Sequence, residues 1–436
     1  MKISVIGLGK LGLPLAATIA SRNFLVYGVD INKEVVNNLK KGKTFLNEPG
    51  LKNLIKKFKN NLAPTDKTEE AVINSEMTFV ITPTPSKKNG YFSTQYVQAA
   101  VRDIAKALKS KKNYHLVVIV STVMPGSTDK IKKLLEKESG KVCGRDFGLC
   151  YNPEFIALGS VIYNLLNPDF ILIGESDQTA GDMLQKFYQK YCDNKPKFAR
   201  MNFVNAELTK ISVNTYITTK ISYANMLCEI CEQLPGGDVD AVTAALGLDS
   251  RIGQKYLKGG PAFGGPCFPR DNIAFISLAK KTKTNFHIPL ATHKTNVRQT
   301  ERLVKKVLEF TKNGLSVGIL GLSYKPFTDV VEESFGMVLA KELISKKVNI
   351  YLHDPLALEN VKKVFNNSMN YESNIKSCIK KSQILVIATD WPEYKGIKKG
   401  WFGVEPKILI DPWRIIDVRL LPKNVSYQPF GISVLE

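Results

Sequence analysis

Cys267 is the residue of this chain best suited to covalent chemistry. It sits in the stretch Gly259 to Asp271, GGPAFGGPCFPRD. Gly264 and Gly265 let the backbone turn sharply and approach a ligand closely. Pro266 and Pro269 stiffen the loop on both sides of the thiol. Arg270 and Asp271 follow at once, so a cation and an acid lie near the sulfur in sequence. A nearby cation favours the thiolate, which is the nucleophilic form. The same residues also fit a Gly/Pro turn around an inert cysteine, since cysteine is commonly a small hydrophobe.

A second constellation opens the chain. Lys2 to Ile6 reads as an apolar strand, followed by Gly7, Leu8, Gly9, Lys10, Leu11 and Gly12. A helical pattern runs from Leu13 to Ser21, and a strand from Phe24 to Val29 ends at Asp30. Strand, GxGxxG, helix, strand and acid form a dinucleotide fingerprint: the glycines permit the tight turn and the approach of the pyrophosphate to the helix N-terminus. Asp30 suits the two ribose hydroxyls of NAD, because an acid repels a 2′-phosphate. Val35 stands where a cation would help hold the adenosine, and Lys33 is the nearby alternative.

Two further strands end in polar loops. Glu76 to Ile81 leads into Thr82, Pro83 and Thr84, and His115 to Val120 into Ser121, Thr122 and the segment to Gly126. The carboxyl edge of a doubly wound sheet is where ligands lie; Ser and Thr there also serve as helix caps. Glu154 sits between Pro153 and Phe155 in an apolar setting, where a carboxylate becomes a base with a raised pKa or a surface acid on a turn. Asn167 to Gly174 reads as the strand that closes the first domain. From Ala206 to about Leu234 the pattern is one long helix, on which Lys210 and Asn214 are spaced i, i+4 and share a face. That pair suits anion or oxyanion binding, or a solvated stripe.

Cys228 and Cys231 form a CxxC within helical sequence, with no second pair to complete a metal site. His287 and His293 have no metal-ligand partners at helical spacing, so no metal site is expected. After Asn313-Gly314 the alternation restarts, with strands at Leu315 to Leu320, Val348 to Leu352, Ile384 to Ala388 and Ile408 to Ile410. This second α/β domain lacks GxGxxG. Lys325 and Arg414, both at strand ends, are candidates to hold phosphate.

These pieces need a large scaffold. The 436 residues suit two or three domains, and 44% hydrophobic content supplies their cores. The formal charge of +21 is spread over lysines on helix-like stretches such as Lys52 to Lys59 and Lys106 to Lys112. No DNA-binding motif or aromatic-interleaved basic block accompanies it, so nucleic acid is not the expected partner. Seven cysteines without paired spacing point to reduced thiols in the cytoplasm. The chain starts directly on a strand, so no signal peptide is expected, and no apolar run approaches the ~18 residues of a membrane span.

Taken together, GLGKLG, STVMPGST, NPEF, ELTKISVN, SRIG, FGGPCFPRD and GLSYKP resemble the nucleotide-sugar 6-dehydrogenase family over nearly the whole chain. The resemblance implies an α/β fold of two Rossmann-like doubly wound domains joined by a long central helix and helical region. Residues 1–200 would bind NAD, 201–300 would dimerise, and 301–436 would bind the nucleotide sugar. The implied reaction oxidises a sugar CH₂OH to a carboxylate with two NAD. Cys267 would form a thiohemiacetal and then a thioester. Lys210 and Asn214 would stabilise oxyanions, Asp271 and Thr122 would position water and proton donors, and Glu154 would be the hydrolytic base. Glu154, Phe155, Lys210, Asn214, Lys258, Phe263, Gly264, Tyr324, Lys325 and Arg414 would line the substrate pocket, and Arg251 would reach into a partner subunit of a homodimer.

Three departures from the family pattern stand out. Leu158 occupies the place of a second glutamate, Glu332 that of an arginine, and Arg270 that of a lysine. The first two are NAD-contacting positions in typical members. The FGGPC form of the loop favours UDP-glucose, with GDP-mannose, a UDP-N-acetylhexosamine or a degenerate binding protein as alternatives.

Overall fold

The computed structural model describes residues 1–311, 314–366 and 369–433; Asn313, expected at the boundary of the second repeat, lies outside them. The chain divides into two compact units, Met1–Ser212 and Val213–Glu436.

The first unit is built on eight strands: β1 (Lys2–Ile6), β2 (Leu25–Val29), β3 (Leu62–Thr65), β4 (Met77–Val80), β5 (His115–Ile119), β6 (Phe147–Tyr151), β7 (Phe170–Glu175) and β8 (Lys197–Met201). Their order is β3-β2-β1-β4-β5-β6-β7-β8. All neighbours pair parallel except β6 and β7. Central strands of such a sheet are covered on both faces and read as continuous apolar runs. Accordingly every residue of β4, β5 and β6 is buried. Alternate side chains feed two cores: Leu116 and Val118 enter one, Val117 and Ile119 the other.

Register brings the strand ends to one edge. Ile6 pairs with Val29 on one side and Val80 on the other, and Val80 pairs with Ile119. The chain leaves β1 toward β2 in one direction and returns to β4 in the other, which makes the β1/β4 gap a topological switch point. The strand at 167–174 does not close the sheet. β7 runs antiparallel to β6, and β8 forms the edge beyond it. β8, KFARM, is half-buried and mixed in polarity, so it carries no period to read.

A 31-residue helix, Phe203–Gln233, runs from the first unit into the second. Gly174 lets it come close, since a Cβ there would stand 2.8 Å from the Cβ of Ala206. In the second unit, helices Val239–Leu248, Phe268–Lys281 and His287–Phe310 precede a six-stranded parallel sheet. Its strands are β9 (Val317–Leu320), β10 (Ile350–His353), β11 (Asn370–Tyr371), β12 (Ile384–Ile387), β13 (Lys407–Asp411) and β14 (Val425–Pro429), in the order β11-β10-β9-β12-β13-β14. The two sheets share a local device. Leu8 N donates to Asp30 Oδ2 at 2.8 Å, and Leu322 N donates to Asp354 Oδ2 at 2.7 Å, at the ends of β2 and β10. Among the described residues no helix is long and apolar enough to cross a membrane.

Candidate active site

At the carboxyl edge of the first sheet, the three fingerprint glycines have three different surroundings. Gly7 has φ +93°, and a Cβ on it would stand 2.3 Å from Ile81 O. A Cβ on Gly12 would stand 1.8 Å from Gly7 O. Around Gly9 a Cβ would meet nothing within 4 Å. Two glycines are thus required by the protein itself, while the middle one, exposed beside Lys10, leaves room for a ligand. Leu11 precedes the ten-residue helix Gly12–Ser21, whose N-terminus suits a pyrophosphate. Asp30 accepts from Leu8 N and Asn32 N, each at 2.8 Å, one bond per carboxylate oxygen. Each oxygen keeps acceptor capacity for a ribose hydroxyl. This edge fits NAD. Lys33 begins the next helix and is exposed, whereas Val35 packs against the core.

Ser121 joins the two neighbouring loops. Its hydroxyl accepts from Thr82 N at 2.9 Å and donates to Thr82 O at 2.7 Å. Pro83 is exposed, Thr84 buried, and Thr122 half-buried on the same edge.

Glu154 follows β6. Burial pushes its carboxyl up to about 7, against the hydrogen bond of Tyr188 and the charge of Lys210, which pull it down. The Tyr188 hydroxyl donates to Asn152 Oδ1 at 2.5 Å and stands 3.3 Å from Glu154 Oε1. Lys210, from the long helix, is buried; its ammonium donates to Glu154 O at 2.5 Å and lies 4.4 Å from the centre of the Phe155 ring. Lys210 and Glu154 are thus brought together. Leu158 packs against the core beside them in the chain.

In the second unit Cys267 is exposed and immediately precedes the helix Phe268–Lys281. A helix N-terminus favours the thiolate. Asp271, in the first turn, is 1% exposed; its Oδ2 accepts from Asn214 Nδ2 at 2.6 Å and its Oδ1 lies 3.4 Å from Arg270 Nε. The glycines before the thiol are fixed by close contact. A Cβ on Gly264 would meet Glu333 O at 2.0 Å, and one on Gly265, at φ +81°, would meet the Tyr324 ring at 2.5 Å. Gly265 N also donates to the carbonyl of Glu332, whose side chain is exposed.

The loop leading to Cys267 is held by side chains that sequence reasoning did not single out. Asn225 Oδ1 accepts from Gly260 N at 2.8 Å, and Gln299 Nε2 donates to Gly260 O at 2.6 Å. Asn296 pairs with Phe263 like a backbone segment, accepting from its N at 2.8 Å and donating to its O at 3.0 Å. Only the i, i+3 spacing of Asn296 and Gln299 in a helical stretch hinted at a shared face.

Arg414 lies within a network of protein acceptors. Its five N–H groups go to both oxygens of Asp240 and to the carbonyls of Pro412, Phe430 and Gly259. The side chain is 3% exposed, and its bond to Gly259 O anchors the start of the Cys267 loop. Lys258 is exposed, with Nζ 5.7 Å from the Trp413 ring, and Lys325 Nζ lies 6.0 Å from the Tyr324 ring. Arg251 is exposed and paired with Asp249 at 2.6 Å.

Residues 1–192 match the NAD binding domain of the UDP-glucose/GDP-mannose dehydrogenase family, 204–298 its central domain and 318–418 its UDP binding domain. The UDP-glucose 6-dehydrogenase AglM of Haloferax volcanii is 31% identical over 423 residues, covering 96% of this chain and 98% of that protein. The chain belongs to the UDP-glucose/GDP-mannose dehydrogenase family. The UDP-glucose 6-dehydrogenase TuaD of Bacillus subtilis is likewise 31% identical, over 99% of this chain and 91% of its own. Among solved structures, a UDP-glucose dehydrogenase from Pyrobaculum islandicum has a TM-score of 0.90 at 32% identity, covering 98% of this chain and 96% of that one. A UDP-D-ManNAc dehydrogenase from Pyrococcus horikoshii has a TM-score of 0.84 at 26% identity, covering 99% of both chains. As in the rest of this dehydrogenase family, the cofactor is NAD.

Proposed function

We propose that this dehydrogenase oxidises the C6 hydroxymethyl group of UDP-glucose to the carboxylate, giving UDP-glucuronate through a thioester on Cys267. The observation that carries the reading is Cys267 exposed at a helix N-terminus, with Asp271 on that helix's first turn accepting from the buried Asn214 of the long helix. UDP-glucose is favoured because relatives at 31–32% identity bear that substrate in their names.

Gly7 to Gly12, Asp30, Thr82 and Ser121 would hold NAD, which would supply the hydride acceptor for each of two oxidations. The first removes a hydride from C6 and a proton from its hydroxyl, leaving an aldehyde. Cys267 Sγ then bonds to the aldehyde carbon, and the thiol proton passes to the oxygen. The second oxidation leaves a thioester. Water adds to its carbonyl carbon, the C–S bond breaks, and the sulfur leaves as thiolate. One alcohol, one water and two NAD⁺ thus yield one carboxylate, two NADH and three protons. By family resemblance Lys210 and Asn214 stabilise the oxyanions, Thr122 and Asp271 position water and proton donors, and Glu154 takes the proton of the hydrolytic water. A carboxyl held near 7 suits that base.

A homodimer on the long helix is supported by Tyr216, Tyr223, Met226 and Ile230, all between 43% and 67% exposed along one helix. A monomeric mass in sedimentation would remove it. The cytoplasm is the proposed compartment, because thiols without disulfides among the described residues suit reducing conditions.

The test is NADH formed per sugar consumed, with UDP-glucose, GDP-mannose and UDP-N-acetylhexosamines in parallel and Cys267→Ser as control. Two NADH per UDP-glucose, lost in Cys267→Ser with NAD binding retained, is the expected result. Acid formation by the variant would overturn the thioester. Binding of a nucleotide sugar without any NADH would favour a degenerate binding protein, a reading that Leu158 and Glu332 support.

A further inference from the structure

Glu207, the fifth residue of the long helix, is 0% exposed. Its carboxylate accepts three short hydrogen bonds: from Gly126 N at 2.6 Å, Thr128 N at 2.7 Å and Thr128 Oγ1 at 2.7 Å. All three donors lie at the start of the 13-residue helix Ser127–Ser139, which Gly126 enters in the left-handed conformation at φ +85°. The negative charge therefore meets two backbone N–H groups, a hydroxyl and the positive end of a helix.

A buried carboxylate is a costly way to join two elements. An apolar side chain of similar size would pack there with no charge to desolvate. What three directed hydrogen bonds add is a fixed distance and angle. The elements they fix both carry candidate site residues. Four and five positions before Gly126 are Thr122 and Ser121, the latter bound to Thr82. Three positions after Glu207 is Lys210, which reaches Glu154 O. Residues three apart share a helix face.

We propose that Glu207 is a positioning residue for the oxidation, setting the Thr122 loop against the helix turn that presents Lys210. The proposal rests on the roles given above to Thr122 and Lys210. Glu207→Gln keeps the volume but turns an NH₂ donor toward groups that are themselves donors. Thr128→Val deletes one donor, and Thr128→Ser restores it.

The experiment measures kcat, KM, thermal stability and the primary isotope effect with UDP-glucose deuterated at C6, together with hydrogen exchange of residues 121–128. Glu207→Gln is expected to lower kcat about tenfold to a hundredfold. KM should stay within about threefold, since the lost interaction serves the transition state. The isotope effect should rise as hydride transfer becomes slower, and exchange at 121–128 should quicken. Thr128→Val should show the same pattern more weakly, and Thr128→Ser should behave as the native protein. An unchanged isotope effect, with kcat falling only as folded protein is lost, would overturn the proposal; so would an unchanged kcat. If Glu207→Gln does not fold, Thr128→Val carries the same readouts. Thr122→Ala and Lys210→Ala distinguish the underlying reading: if both turn over normally, that reading fails whatever Glu207 does.

Discussion

Arg414 donates two parallel hydrogen bonds, each 2.8 Å, to the two carboxylate oxygens of Asp240, while a third N–H of the same guanidinium holds Gly259 O at 2.7 Å. One ion pair therefore fixes the first residue of the segment that ends in Cys267. The arrangement separates two roles for Arg414 that mutation of the arginine alone would confuse. If it holds the loop, Asp240→Asn should weaken UDP-glucose binding, although an acid at 240 has the wrong charge to bind phosphate. KM for the sugar should rise about threefold to tenfold, and denaturant midpoints should report a loss of about 1–3 kcal/mol, the range for leaving a buried donor poorly matched. If Arg414 instead binds phosphate directly, Asp240→Asn would free the guanidinium and tighten binding.

Gly9 and Gly12 should part company on substitution. A methyl group at Gly12 meets the carbonyl of Gly7 at 1.8 Å, a backbone atom that cannot give way cheaply, whereas at Gly9 it meets no protein atom within 4 Å. Gly12→Ala should lower stability by several kcal/mol in denaturant melts, as overpacking against backbone does. Gly9→Ala should leave the melt within about 0.5 kcal/mol of native, as expected for an open site. It should still weaken NAD about tenfold or more by titration, because the pyrophosphate requires that space. Equal effects of both substitutions on stability would mean that the middle glycine serves the fold rather than the ligand.

How far such features could be read beforehand depended on how local they are. Each glycine of the fingerprint answers a demand made within a few residues, so GLGKLG and the acid ending β2 were legible. The tight turn before Cys267 was legible in its glycines and prolines. β8, β11 and β14 went unread because edge and short strands need no apolar alternation; β14 is VSYQP and β11 only two residues long. The side chains that tune and hold the site were illegible for another reason. Tyr188 is 34 positions from Glu154, and Asn296 is 33 from Phe263. Neither has a pattern of its own, and only folding brings them to their partners. Arg414 shows the converse: its place at a strand end was read correctly, but whether its donors face a ligand or the protein is settled by packing.

Glu154 makes stability and activity run in opposite directions with pH. Burial raises its carboxyl from an ordinary 4.5 to about 7, so between those values the folded protein holds a proton that the unfolded chain has released. Binding more protons in the native state makes stability fall as pH rises, and the loss here is on the order of 3 kcal/mol, complete above about pH 7. With Glu154 as the proposed base for thioester hydrolysis, kcat should climb through the same window and level off above it. Denaturant melts and the rate of acid release, both measured from about pH 5 to about pH 9, should give mirror-image curves with a common inflection. In Glu154→Gln both inflections should vanish, and acid release should fall about a hundredfold, the usual scale for losing a general base. Tyr188→Phe supplies the finer test. The Tyr188 hydroxyl hydrogen-bonds Glu154 and favours its ionised form, so removing it should move both inflections to higher pH. An inflection that persists in Glu154→Gln would assign the titration to another group and leave the hydrolytic base to be found elsewhere.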